Sequence, residues 1–142
     1  MNNSTTTALT LSGNPIGPQA AMILEKVLRS NSSLEILQLD NCQLEDAGFI
    51  AILRGIMMNQ TIRVLSVASN GISDKGAMAL AQVLQTHPTL QSINLDQNTI
   101  GPTGGAALAA AYEKKGRFLG TGLNFNWNPS IFNSSDINLY GI

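Results

Sequence analysis

Apolar residues recur along this chain every 28 positions. Leu9, Leu37, Leu65 and Ile93 fall in one column, and Leu11, Leu39, Val67 and Leu95 in the next but one. Leu34, Ile62 and Leu90 form a third, which Phe118 continues, and Ile16, Leu44, Ile72 and Ile100 a fourth. Later in the unit come Leu24, Ile52, Leu80 and Leu108, then Leu28, Ile56, Leu84 and Tyr112. Self-similarity in so many columns marks a repeat architecture, in which each unit hides its apolar side only against its neighbours.

Within a unit the period changes. The first part alternates, as in Leu37-Gln38-Leu39, and predicts a short strand with apolar residues facing in. The second part pairs apolar residues at four-residue spacing and predicts a helix: Ile23/Leu24 and Val27/Leu28, then Ala51/Ile52 and Gly55/Ile56, then Ala79/Leu80 and Val83/Leu84. These pairs are expected to form one buried stripe. Ser73 reads as an N-cap with Asp74 in the first turn. Glu45 and Asp46 sit where a helix dipole favours negative charge, and Pro18 and Pro102 suit the first helical position. The helices are expected to stop near Asn31, Asn59 and His87, with asparagine in a left-handed cap.

Two further columns carry small or polar residues. Ala20, Gly48, Gly76 and Gly104 are expected where each helix comes closest to the strand of its own unit. Asn14, Cys42, Asn70 and Asn98 follow the strands and are expected to form a ladder that satisfies buried loop groups from one unit to the next, with Cys42 as the weaker rung.

The pattern Leu-x-x-Leu-x-Leu-x-x-Asn/Cys-x-Leu, followed by glycine and a leucine-rich helix, resembles the leucine-rich repeat of the ribonuclease-inhibitor type. The resemblance covers residues 9 to about 118. It implies an α/β solenoid: a short, curved, right-handed superhelix with a parallel sheet on the concave face and helices on the convex face. That class also includes the activator of the Ran GTPase. Arg29, Arg54, Arg63 and Arg117 lie in different columns, so its activity does not carry over.

Residues 1–8 are then a flexible N-terminal segment, 9–118 four repeats of 28 residues, and 119–142 a partial fifth repeat with a C-terminal cap. Leu123 and Asn126 still fall 28 beyond Leu95 and Asn98, while Thr121 and Asn128 break the pattern. Phe125, Trp127, Phe132 and Tyr140 are expected to cover the last repeat's core. Nothing comparable precedes Leu9, which leaves open a fragment, a dimer through that sheet edge, or fraying.

Composition narrows the function. Eight basic and nine acidic residues give a net charge of −1, which offers no pull toward nucleic acid or an anionic membrane. No run approaches the roughly 20 apolar residues of a membrane span. A single cysteine and the absence of a signal-like N-terminus point to the cytoplasm. One His and one Cys, in different columns, make no metal cluster. Neither "GNPIGP" nor "GISDKG" is a phosphate loop. Asp40 and Asp96 share a concave column, but nothing beside them builds a catalytic cleft, so they read as solvated carboxylates. The chain reads as a non-enzyme without a cofactor.

What remains is a scaffold for a protein partner of unknown identity. The concave candidates are Thr10, Ser12, Gln38, Asp40, Ser66, Asn94 and Asp96. The alternative is an apolar convex row, Met22, Ile50, Leu53, Met57 and Met78, where a helix exterior is normally charged. Self-association through that row or through the open N-terminal edge is also open. A competing reading makes the chain a regulatory or sensor module of a larger protein or secreted effector, with no activity of its own.

Overall fold

Five three-residue strands alternate with four helices: β1 (Ala8–Thr10), α1 (Gly17–Ser30), β2 (Ile36–Gln38), α2 (Glu45–Met57), β3 (Val64–Ser66), α3 (Asp74–Thr86), β4 (Ser92–Asn94), α4 (Pro102–Leu119) and β5 (Asn124–Asn126). The computed structural model describes the backbone of residues 5–119 and 124–126 and the side chains of residues 5–114. The aromatic cap expected from Trp127, Phe132 and Tyr140 lies outside the described residues.

The strands form one parallel sheet in sequence order, so each new unit simply adds beside the last. Leu9, Leu37, Leu65 and Ile93 stand opposite one another, as the 28-residue columns require. Pairing runs one residue past each strand: the amides of Leu11, Leu39 and Val67 donate to the carbonyls of Gln38, Ser66 and Asn94. At the other end the Thr7 carbonyl accepts the amides of Glu35 and Ile36, and the Thr6 carbonyl accepts the Ser33 hydroxyl. Thr6 and Thr7, in the segment expected to be flexible, thus pair with the loop and strand of the second unit.

The fifth strand corrects the register. Asn124 pairs with Ser92 and Phe125 takes the position of Ile93, a step of 32 rather than 28 residues. α4 has 18 residues where α2 and α3 have 13. The extra four residues of the step amount to about one helical turn and are taken up on the convex side.

From the sheet, Leu37, Leu39, Leu65, Val67, Ile93 and Leu95 meet Leu28, Ile52, Ile56, Leu80, Leu84 and Leu108 from the helices, all buried. Each large side chain so covered contributes about 1.5–3 kcal/mol. The asparagine ladder forms between repeats two and four. Asn70 Oδ1 accepts the amides of Cys42 and Leu44, while its Nδ2 donates to the carbonyls of Leu39 and Ala68. Asn98 repeats this with the amides of Asn70 and Ile72 and the carbonyl of Val67. Cys42 supplies only its thiol, to the carbonyls of Leu11 and Asp40. Burial pushes that thiol up from its ordinary range. Asn14 is exposed and donates only to Leu11 of its own unit, so it is not a rung.

A second ladder replaces the expected left-handed caps. Asn31 and His87 have extended backbones. Asn59 Oδ1 accepts the amides of Thr61 and Ile62, and its Nδ2 donates to the carbonyls of Leu28 and Asn31. His87 takes the same role one unit on. Its Nδ1 accepts the amides of Thr89 and Leu90, and its Nε2 lies 2.9 Å from the Ile56 oxygen and 2.6 Å from that of Asn59. Two carbonyls at Nε2 and two amides at Nδ1 require the neutral ring with its proton on Nε2. The left-handed residues lie elsewhere, in the strand-to-helix turns, where Gly13, Asn41, Ser69 and Gln97 share a column.

The helix starts also differ from expectation. Ser73 makes no side-chain cap to its own helix. Instead Asp46 reaches forward from the previous unit to the amides of Ser73 and Gly76 and to the Ser73 hydroxyl. Asp74 does the same for Gly101 and Gly104. In the glycine column Gly76 and Gly104 make room for these carboxylates, and Gly48 for Pro18 and Ala21 of the preceding helix, rather than for a strand. An ideal Cβ on Gly76 would stand 2.6 Å from Asp46 Oδ1, and one on Gly104 2.6 Å from Asp74 Oδ1.

Candidate binding faces

The concave candidates divide by how far they are already engaged. Thr10, Ser12 and Gln38 are exposed, while Asp40, Asn94 and Asp96 are half-buried. Ser66, expected to face outward, is only 7% exposed. The cause is Asp40, whose Oδ1 accepts the Ser66 hydroxyl at 2.6 Å and the Ala68 amide at 2.8 Å. The Asp40 amide in turn donates to Ser12 Oγ. Asp40 is thus a brace between strand ends rather than a solvated carboxylate, and Ser66 is its partner. Asn94 Oδ1 accepts the amide of Asp96 in a local turn. Thr10 and Gln38 remain open to a partner, together with exposed Ile36 and half-buried Val64 beside it. Ile36 is not among the sequence candidates. Its signal is an apolar residue where strand alternation calls for a polar one.

On the convex side, Met22 and Met78 are 54% and 47% exposed, Met57 is exposed, and Ile50 is half-buried between the two helices that carry them. Exposed Met58 extends the group past the end of α2. Leu53 corrects the row: it is 2% exposed. It lies one turn after Phe49, whose ring stands 3.2 Å from where a Cβ on Gly76 of α3 would be. A helical angle alone places a residue on the outside without showing how close the next helix stands.

Burial along the expected stripe of paired residues is uneven: Leu28 is buried already in repeat one, and Ala79 of repeat three is half-buried. Ala51, Gly55 and Val83 are buried, Gly55 close against Glu25 and Leu28 of the preceding helix, whereas Ile23 is 65% and Val27 46% exposed. Glu25 of α1 is paired both within its own helix and across the seam to α2. Glu25 accepts from Arg29 at 2.8 Å and from Arg54 at 3.3 Å. Desolvation opposes the charge on Glu25, but the two guanidiniums outweigh it and hold the carboxyl below its usual range.

Among the described residues no cluster of His, Cys, Asp and Glu is placed to hold a metal, and no buried side-chain nitrogen or oxygen lacks a partner. No described helix is long and apolar enough to cross a membrane. The convex face presents methionines beside Ile50, and the concave face hydroxyl and amide groups beside Ile36.

Comparison with known proteins fits this geometry. A family model described as Leucine Rich repeat matches residues 30–53, 59–81 and 86–109, together half of the chain. No curated protein matches the sequence. Fifty solved chains match, and among them is a structure of leiomodin-1 actin-binding site 2. It is 19% identical, with a TM-score of 0.77 over 89% of this chain and 73% of that one. At that identity the likeness is one of fold.

Proposed function

The chain belongs to the leucine-rich repeat family, and from that premise we propose that it is a protein-binding scaffold of the ribonuclease-inhibitor type whose main contact surface is the convex row Met22–Ile50–Met78. The observation that carries this reading is the exposure of Met22 and Met78 on either side of half-buried Ile50. Exposed apolar side chains aligned across three helices make a contiguous patch, and flexible thioethers adapt to a partner's surface. Leu53, being buried, is left out of that contact surface. A second reading, contact through the concave residues Thr10, Ile36 and Gln38, is favoured by the exposure of Ile36. Scaffolding without catalysis, in a reducing compartment that suits the lone buried thiol of Cys42, completes the proposal.

The test compares two double variants that leave the core untouched, Met22→Lys with Met78→Lys, and Thr10→Arg with Gln38→Arg. Partners captured by the parent chain are identified, purified and titrated against all three proteins. Actin, the partner named for the leiomodin-1 structure, serves as one purified probe. The convex variant should lose affinity about tenfold or more, with the concave variant close to the parent. The reverse pattern establishes the second reading, and equal affinity for all three proteins removes both faces.

A further inference from the structure

His87 is this chain's one histidine, it is only 4% exposed, and both of its ring nitrogens are engaged. Nε2 faces the carbonyls of Ile56 and Asn59 in the preceding unit, and Nδ1 accepts the amides of Thr89 and Leu90 in the loop that leads to β4. We propose that His87 is an acid-operated latch: protonation of the ring releases the loop between α3 and β4, while the end of α3 stays fastened to the preceding unit.

The two edges of the ring respond differently to a proton. An imidazolium donates from both nitrogens and has no acceptor. Its Nε2 proton still meets the carbonyls of Ile56 and Asn59, and the His87 amide still donates to Val83 within α3. Its Nδ1 proton, however, points at the amides of Thr89 and Leu90, which are donors themselves. Turning the ring over offers those amides only a C–H. A buried amide without an acceptor is costly, so a charged ring drives the loop open. The same loop is tied to the preceding unit by the Thr89 hydroxyl, which donates to the Ile62 carbonyl at 2.8 Å, and by the amides of Gln91 and Ser92, which donate to the Arg63 carbonyl. Its release therefore loosens the entry of β4 against β3.

Among the described residues, the charged and titratable groups on the elements around the ring are Glu45, Asp46 and Arg54 of α2, Arg63 ahead of β3, Asp74 and Lys75 of α3, and Tyr112, Glu113 and Lys114 of α4. The acids of α2 and α3 and Lys75 sit at the opposite ends of their helices, about 20 Å along the axis. Arg54, Arg63, Glu113 and Lys114 are exposed, and Tyr112 is half-buried. Asn59 is a matched control within the fold. It holds the same column one unit earlier, on the amides of Thr61 and Ile62 and the carbonyls of Leu28 and Asn31, and its side chain takes up no proton.

The sign follows from linkage. The closed loop admits only the neutral ring, whereas a released histidine takes up a proton below about pH 6.5. The released form thus binds more protons, and its population rises as pH falls. One pH unit below that value it is about tenfold larger than with an uncharged ring.

Amide hydrogen exchange of the full chain, read residue by residue at about pH 7 and about pH 5.5 and corrected for intrinsic rates, tests the latch. Protection of Thr89 and Leu90 should fall about tenfold at the lower pH, while that of Thr61 and Ile62 holds. His87→Asn, which rebuilds the Asn59 arrangement, should abolish the difference between the two loops. In the parent chain the nitrogen chemical shifts of the ring should report the neutral form with its proton on Nε2 at both pH values. A ring that becomes charged while Thr89 and Leu90 stay protected overturns the proposal. So does unchanged protection at that loop, an equal loss at both loops, or a His87→Asn chain that loses as much as the parent.

Discussion

Ile23 and Ala51 hold the same place in successive helices, yet one is 65% exposed and the other is wholly buried. The columns of repeat one are those of repeat two, and its polar groups also settle differently. Asn14 turns back on its own carbonyl where Asn70 bridges two units. Burial in this fold is thus a property of the junction between units and not of the unit. A stack of this kind gains its stability from nearest-neighbour interfaces, and repeat one has one interface fewer among the described residues.

The sharpest way to break the comparison is inside one column. Leu80→Ala should destabilise by about 2–5 kcal/mol in denaturant titration, and Leu24→Ala, at the half-buried equivalent, by about half as much. Equal losses would mean that repeat one is as enclosed as repeat three. Next comes the ladder. Asn70→Leu strips partners from the amides of Cys42 and Leu44 and the carbonyl of Leu39, and should destabilise by about 1–3 kcal/mol. Asn14→Leu should stay within about 0.5 kcal/mol. Gly76→Ala crowds Asp46 at the start of α3 and should lower the midpoint by an amount equivalent to about 1–2 kcal/mol. Its equivalent in repeat one, Ala20, already carries that methyl group.

The smallest effect lies at the α1–α2 seam and depends on pH. The carboxyl of Glu25 is lowered in the folded chain, so its stabilisation is present above the unfolded value of about 4.3 and is lost as pH falls through the lowered native value. Thermal melts of the parent and Glu25→Gln should differ slightly at neutral pH, and the gap should close in acid. A gap that persists in acid would mean the carboxylate is not what joins those helices.

The columns were legible in the sequence because apolar periodicity records which residues share a face. Leu39, Val67 and Leu95, Asn70 and Asn98, and the short strands all followed from it. What periodicity does not record is which neighbour a face meets. Asp46 and Asp74 resemble ordinary first-turn acids of their own helices, yet each caps the next helix about 27 residues on. Leu53 lies on the outer side of α2 by angle, yet it is buried. His87 does not look like an asparagine, but its two ring nitrogens reproduce the acceptor and donor of Asn59 at the same spacing. Among the concave candidates, the outward position of Thr10 and Gln38 is readable from alternation, while the pairing of Asp40 with Ser66 depends on the lateral distance between strands.

Cys42 turns the junction of the first two units into something that can be timed. Its sulfur is sealed between carbonyls from both units, and its proton is held more firmly than in a free thiol. An alkylating reagent reaches it only when those units part, so the rate at which this chain's one cysteine is modified under native conditions clocks their separation.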